Sequence, residues 1–318
     1  MNHIRSEIYA EEKSEIWDQF VEKSENGTLH SKKRFLGYHQ EKFQDCSQLF
    51  YSKNDLIAIL PAAIYNSQLV SHPGAAYGGL IYDKNLKIEY ILEINKLINQ
   101  ICLENNISQI VYRLPYSIIS KYHFDKFLYS ISKKTLKIEK ELSQFIDLSN
   151  YNKGSYSKNF NRIIKNSNFK TMVAKSEKEI SDFYDILMKN LKRHNAQPTH
   201  TLNDLSYLLH NLDQECQLFI TKDSNANIVS GSFVMILNRE TVHSFYLCTD
   251  YEFIKSSPLV STIDFIGNYY SESGYKYLNL GISTENKGEK INLPLQTFKE
   301  KFNSVGTIRE TYTVEVKN

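Results

Sequence analysis

Many of the usual signals of function are missing from this 318-residue sequence. It has no P-loop, no G-x-S-x-G elbow, no H-E-x-x-H, and no G-x-G-x-x-G opening a helix after a strand. Those absences exclude simple kinase, serine hydrolase, zinc protease and Rossmann readings. Cysteine is sparse: the four, at 46, 102, 216 and 248, form no C-x-x-C pair and have no zinc-finger spacing to histidine. They read as buried, reduced thiols. No charge of one sign dominates, with Lys+Arg 38 against Asp+Glu 36 and a formal net charge of +2. A dedicated nucleic-acid binder would show a strong basic excess, so only a local basic patch remains open. No window approaches the roughly 18 apolar residues of a membrane span. The opening Met1-Asn-His-Ile-Arg-Ser-Glu7 has no apolar h-region. A soluble, cytoplasmic protein is expected. Low-complexity tracts and long linkers are absent too.

At roughly 100–200 residues per domain, the length predicts two domains, each large enough for its own core. Tyr 22 and Phe 17 are high counts, and Lys, Ile and Asn are abundant. This is the usage of an AT-rich genome, so a single tyrosine carries little weight.

Periodicity gives the element order. A helix is predicted over 12–24, with Trp17, Phe20 and Val21 as one apolar stripe and Asn26-Gly27 as its stop. A short helix covers 33–39. Strands follow at 48–52, 56–65 and 68–71, with Asn54-Asp55 and Asn66-Ser67 as hairpin turns. The breaker-rich loop His72-Pro-Gly-Ala-Ala-Tyr77-Gly-Gly79 leads to a strand at 80–82. A helix over 87–105 carries Ile91, Ile94, Leu97, Ile98 and Ile101, and 107–113 is a buried strand. In the second half, strands are predicted at 218–221, 228–237, 241–248 and 277–280, with a helix over 259–271. Each half therefore reads hairpin, strand, loop, helix, strand, a duplicated α+β unit. The join falls at a long strand, 136–148, and the polar stretch 149–155. A helix over 157–166 then bears Lys158, Arg162 and Lys165. The cleft between the halves is the default site.

Five segments are candidates for chemistry. His194, Gln197 and His200 lie between a helix ending near Arg193 and one starting near Asn203. A histidine beside a pocket is a general base near neutral pH; the plainer reading has Thr201 or Asn203 capping the second helix. Two histidines six residues apart, without a third ligand, make no metal site. His243 and Tyr246 share the 241–248 strand, where alternation places 243 and 245 on one face and 244 and 246 on the other; the alternative is a satisfied core pair. Lys255, Ser256, Ser257 and Ser261 surround a helix N-terminus, which favours a pyrophosphate, or Ser256 or Ser257 simply caps that helix. His72 and Tyr77 flank glycines that permit close backbone approach to a ligand, or the loop is only a tight turn. Lys299 lies between Phe298 and Phe302; it either snorkels to solvent or, facing inward, stabilises developing negative charge.

Several segments, in order, resemble the Fem-type branch of the GNAT acyltransferase superfamily. Trp17-Asp-Gln-Phe20-Val with Gly27-Thr-Leu-His30 is similar to the N-terminal opening, and His72-Pro73 through Gly79-Leu80 to the first-domain loop. His194 through His200, then Asp204-Leu205, is similar to the stretch before the second sheet. Asn279-Leu-Gly281-Ile-Ser-Thr-Glu285, Asn292 and Phe298-Lys299-x-x-Phe302 resemble the C-terminal signature. The shorter members found in bacterial surface-polysaccharide gene clusters are the best match, since the long coiled-coil insertion of some peptidoglycan-bridge enzymes is absent.

The resemblance implies an α+β fold of two tandem GNAT-like domains, mostly antiparallel sheets flanked by helices, packed around a central cleft. Residues 1–148 are expected to serve acceptor binding, and 149–318 donor binding and catalysis. It further implies direct attack of an amine on an acyl thioester or ester in a ternary complex. His200 is the expected base with His243 as second choice, Tyr246 the acid, and Lys299 the positive charge. Lys255, Ser256, Ser257 and Ser261 would meet acyl-CoA; His72, Tyr77, His194, Gln197, Glu285 and Asn292 would meet the acceptor. The leading expectation is an N-acyltransferase acting on a nucleotide-linked amino sugar for a surface glycan, with acyl-CoA or acyl carrier protein as donor. The alternatives are an aminoacyl-tRNA-dependent transferase and a non-catalytic GNAT pair that binds a partner.

Overall fold

The computed structural model describes residues 4–39, 42–120, 124–149, 151, 156–193 and 195–317. Met1–Leu142, Thr284–Lys290 and Thr307–Asn318 pack as a first unit, and Ser143–Ser283 with Ile291–Gly306 as a second. The chain passes from one to the other inside a strand and later returns, which a single cut at 148/149 does not express.

The first unit begins with β1 (Ile4–Ile8), α1 (Ser14–Lys23), α2 (Lys33–Leu36), β2 (Gln44–Asp45), β3 (Gln48–Ser52), β4 (Asp55–Leu60), β5 (Ala63–Tyr65), β6 (Gln68–Val70) and β7 (Ile81–Tyr82). It continues through α3 (Ile88–Glu104), β8 (Gln109–Arg113), α4 (Ser117–Ser120), α5 (Asp125–Ile131) and the first part of β9 (Thr135–Asp147). One sheet runs β1-β3-β4-β7. Trp17 and Val21, one helical turn apart on α1, cover it against Leu49, Tyr51, Ile59 and Ile81. The buried indole N–H donates to Ser31 O at 2.7 Å, so no donor is stranded. The Asn66-Ser67 turn forms as expected, both residues at positive φ, joining β5 to β6. The preceding turn falls one residue early, at Lys53-Asn54, where Lys53 takes φ +56°. Ile91, Ile94, Ile98 and Cys102 form the buried stripe of α3 and pack on Ile110 and Tyr112 of β8.

The second unit contains α6 (Lys158–Lys165), β10 (Lys170–Val173), α7 (Glu177–Lys192), α8 (Leu202–Asn211), β11 (Cys216–Lys222), β12 (Ile228–Ile236), β13 (Thr241–Thr249), α9 (Pro258–Glu272) and β14 (Tyr277–Ile282). The chain then forms β15 (Thr284–Glu285), β16 (Lys290–Ile291), α10 (Leu293–Glu300) and β17 (Val305–Glu315). The sheet order is β10-β11-β12-β13-β14, then residues 143–147 of β9, and all neighbours are antiparallel except β13 and β14. Val260, Ile263, Ile266 and Tyr270 of α9 close the core over Phe219, Val234 and Val242. β17 pairs antiparallel with β8 in the first unit, Thr311 opposite Arg113.

The architecture is mixed α+β, with mostly antiparallel sheets flanked by helices. β1, α4, α5 and β17 were not anticipated from sequence. Cys102, Cys216 and Cys248 are buried free thiols; Cys46 is half-exposed rather than buried. Among the described residues, no helix is long and apolar enough to cross a membrane.

Candidate active site

β13 and β14 run side by side but pair over three positions only: Thr241 with Tyr277, Val242 with Leu278, and His243 with Asn279. Beyond His243 they part. The cause lies in β14. Asn279 is fully buried, and its side-chain oxygen accepts from Ser143 Oγ at 2.9 Å and from the Gly281 N–H at 2.7 Å. That second bond folds the backbone back on itself, and Gly281 takes φ +76°, a conformation costly for any residue with a Cβ. The β9 register is irregular over the same stretch.

The freed carbonyls of Gly281 and Ile282 accept from Lys299 Nζ at 2.8 and 2.7 Å. Lys299 thus faces inward and is 3% exposed. It makes no ion pair among the described residues. Burial pulls its pKa down from the usual lysine range to about 7. α10 is fixed at both ends. Asn292 caps it, its side-chain oxygen accepting from the Leu295 N–H at 3.1 Å. Phe298 and Phe302 pack on Phe160, at ring-centroid distances of 5.6 and 4.7 Å.

On the other strand, Phe233 of β12 opposes Tyr246 and Val234 opposes Ser244, so Phe245 is an extra residue, a bulge. The bulge breaks the expected alternation. His243, Phe245, Tyr246 and His200 become one continuous row of rings: His243 to Phe245 5.6 Å, Phe245 to Tyr246 4.8 Å, and Phe245 to His200 5.3 Å. The row reaches β14, because a Cβ added at Gly281 would lie 3.6 Å from His243 Nε2.

The Tyr246 hydroxyl lies 2.8 Å from both His200 Nδ1 and Thr199 Oγ1, and it accepts from the His200 backbone N–H at 3.2 Å. If it also accepts from Nδ1–H and donates to Thr199, all three bonds are satisfied and the lone pair of His200 sits on Nε2. This is the tautomer a base needs. Burial raises the Tyr246 pKa, so the phenol keeps its proton. Thr201 and Asp204 form a capping box on α8, and Tyr184 of α7 donates to His200 O at 3.0 Å. The plain capping role and the placement of His200 therefore coexist. The hydroxyls of Ser244 and Ser283 are buried with no hydrogen-bond partner among the described residues.

The remaining expected residues scatter. Neither Ser256 nor Ser257 caps α9. Ser257 sits in the left-handed region at φ +52° with no side-chain cap, and its hydroxyl donates back to Ile254 O at 3.4 Å. Ser261 Oγ donates to Ser167 Oγ at 3.1 Å. Lys255 and Ser256 are exposed and, with Arg162, Asn166 and Asn225, line a groove of about 620 Å³. Gln197 is exposed, and His194 lies outside the described residues. Asn292 is a helix cap, and Glu285 is an exposed partner of Lys290 at 3.2 Å. In the first unit, Tyr77 is 1% exposed, its ring edge-on to His30 and Tyr116. His72 is buried beside Phe43 at φ +59°. Asn279, Ser143 and Thr199 went unrecognised in the sequence as site residues. The signal for Asn279 was an amide inside the apolar run Tyr277–Leu280.

No family model matches the sequence, and no curated protein matches it significantly. Solved structures do match the fold. FemX aligns over 97% of this chain and 96% of its own, with TM-score 0.70 and 11% identity. L-PGS from Bacillus licheniformis covers 98% of this chain and 94% of its own, with TM-score 0.62 and 15% identity. A tandem GNAT protein from the clavulanic acid biosynthesis pathway covers 99% of both chains, with TM-score 0.58 and 7% identity. The chain thus has a tandem GNAT-like fold of the kind seen in FemX.

Proposed function

We propose that the protein is an N-acyltransferase of Fem type, working in the cytoplasm. It moves an acyl group from acyl-CoA or acyl carrier protein onto the amino group of a nucleotide-linked amino sugar for a bacterial surface glycan. The second unit performs the chemistry and the first binds the acceptor. One observation carries this reading: a buried lysine with no counter-ion among the described residues, held by the carbonyls of β14 where β13 and β14 part, with the His200–Tyr246 pair in the adjoining row. Such a group is stored at a site because an anion forms there.

The step balances with these residues. The acceptor amine attacks the acyl carbonyl, forming the C–N bond. His200 Nε2 takes the amine proton. The carbonyl oxygen becomes an oxyanion, offset by the Lys299 ammonium and by the hydroxyl of Ser283. The C–S bond then breaks and Tyr246 protonates the leaving sulfur. His200 then passes its Nδ1 proton to Tyr246 along their 2.8 Å hydrogen bond; Tyr246 is restored, and His200, left with its proton on Nε2, regains the Nδ1–H tautomer by exchange with solvent before the next turnover. His243 is the second choice for the base. The phosphates of CoA fit the groove that bears Arg162 and Lys255.

A second reading, an aminoacyl-tRNA donor, draws on the exposed cations of α6, Lys158, Arg162 and Lys165, beside that groove. A thermal-shift screen with acetyl-CoA, longer acyl-CoAs and UDP-, dTDP- and CMP-linked amino sugars separates the two. A shift with one CoA and one nucleotide sugar is expected, growing with ligand concentration. No shift with any CoA, together with turnover only on charged tRNA, would replace the first reading by the second. Unaltered biological function in Lys299→Met would favour a non-catalytic binder.

A further inference from the structure

The sheet that holds β8 and β17 carries, on its polar face, an arginine with no ion pair among the described residues. Arg113 ends β8, and Arg309 lies on β17 next to it. Their strands pair with Thr311 opposite Arg113. Ile110 and Tyr112, and Tyr312 and Val314, point into the core, so alternation puts Arg113 and Arg309 together on the opposite face.

The carboxylates on this face are already taken. Glu141 accepts from Arg309 Nε at 3.0 Å and also pairs with Arg309 Nη2. Glu139 is shared by Lys137 at 2.8 Å and Lys287 at 3.4 Å. Glu310, which alternation puts on the other face with Tyr312, meets Lys140 at 3.4 Å and the Tyr312 hydroxyl at 2.6 Å. Arg113 has one long bond, Nη1 to Pro73 O at 3.5 Å, and no ion pair among the described residues. Burial, and then the neighbouring Arg309 charge, depress its pKa. Elsewhere in this unit a buried cation is fully met: Lys33 Nζ bonds Asp45 and Ser47 and lies 3.8 Å over the Tyr9 ring. A half-buried guanidinium with most of its donors unused is costly. Its planar fork is shaped for two oxygens of one anion.

We infer that Arg113, backed by Arg309 and by the loop carbonyls of Pro73 and Ala76, forms a binding site for an oxyanion, a phosphate or carboxylate borne by the acceptor. That the anion belongs to the acceptor rests on the transferase reading; the anion site itself does not. It explains why the His72–Gly79 loop turns its carbonyls to the arginines: Pro73 O and Ala76 O, at 3.5 and 3.4 Å, orient the two guanidinium groups.

The test is calorimetric titration of the full chain at fixed ionic strength with inorganic pyrophosphate, UDP and glucuronate, without any acyl donor. Wild type is expected to bind at least one probe saturably. Arg113→Met should weaken that binding by about tenfold or more, and Arg113→Lys by less, because an ammonium keeps the charge but not the fork. Lys165→Met, on exposed α6, should bind as wild type does. Tighter binding of pyrophosphate and UDP identifies a phosphate, and tighter binding of glucuronate a carboxylate. Without ligand, Arg113→Met should melt no lower than wild type, since it loses an unpaired charge. The inference is overturned if no probe binds wild type, if Arg113→Met binds equally well, if Lys165→Met loses as much, or if Arg113→Met melts clearly lower. Binding that depends on Arg113, alongside a failure to find any acyl transfer, would leave the site standing and remove the transferase reading.

Discussion

Lys299→Met tests the buried lysine directly, because its consequence has a sign. The native pKa is about 7 and the reference value 10.5. Between those values the unfolded chain holds a proton that the native protein has released. Stability therefore rises with pH across the window. Below about pH 7 the native protein must protonate Lys299 in a buried site, and the full penalty applies. The shift corresponds to roughly 5 kcal/mol at ~1.4 kcal/mol per pKa unit. From pH 7 to pH 9 about 2 kcal/mol of this is relieved. Methionine matches the lysine stem but does not titrate. It also strands two carbonyls, at about 1–3 kcal/mol each, so the net change at pH 7 is small. The informative quantity is the difference between the proteins, in which every other titrating group cancels. Urea unfolding at pH 6, 7, 8 and 9 supplies it. Wild-type stability should gain on Lys299→Met by about 1 kcal/mol per pH unit above pH 7 and run parallel below it. Parallel curves over the whole range would refute a buried, proton-releasing lysine. A gap that widens as pH falls below 7 would refute the assigned native pKa.

Other outcomes follow from the same geometry. Tyr246→Phe removes the hydroxyl that meets His200 and Thr199; stability should fall by about 1–3 kcal/mol and acyl transfer by roughly 10²–10⁴-fold, with far-UV circular dichroism unchanged. Thr201→Ala breaks the capping box on α8, costing about 1 kcal/mol in denaturant titration and loosening His200 enough to lower kcat more than it raises KM. Gly288→Ala should be among the most disruptive single substitutions, because its φ is +95° and a Cβ would lie 1.7 Å from Lys140 O; a melting temperature equal to wild type would contradict the packing of that turn.

What was legible in the sequence is what local chemistry decides. The α3 stripe of Ile91, Ile94 and Ile98 and the Asn66-Ser67 turn needed no partner elsewhere in the chain to be read. Lys299 stood out through its place between Phe298 and Phe302 and through a resemblance, while its inward orientation depends on the fold at Asn279–Gly281. That fold is held by Ser143, 136 residues away in sequence. The Phe245 bulge was hidden for a related reason: strict alternation was the best local rule, and only the register against β12 shows one residue too many. Arg113 looked like a strand end. Its unmet charge is visible only when every nearby carboxylate has been assigned to another cation. β17 was missed because Val305–Glu315 alternates weakly, and Val305, Gly306 and Ile308 at its start are exposed.

β17 also fixes when the first unit can finish folding. Its pairing joins Thr311 to Arg113 across about 200 residues, and the whole second unit is synthesised between them. A ribosome that has made the first 300 residues has produced β8 and the Arg113 loop but not the strand that zips onto them. Until then β8 offers an open edge of the kind that recruits stray strands. Closure must wait for a contact of high sequence separation, which folds slowly. The second unit, by contrast, has nearly all its own strands by the time Ile282 has emerged. Maturation of this protein should therefore run from the middle outward, with the arginine pair among the last features to assemble.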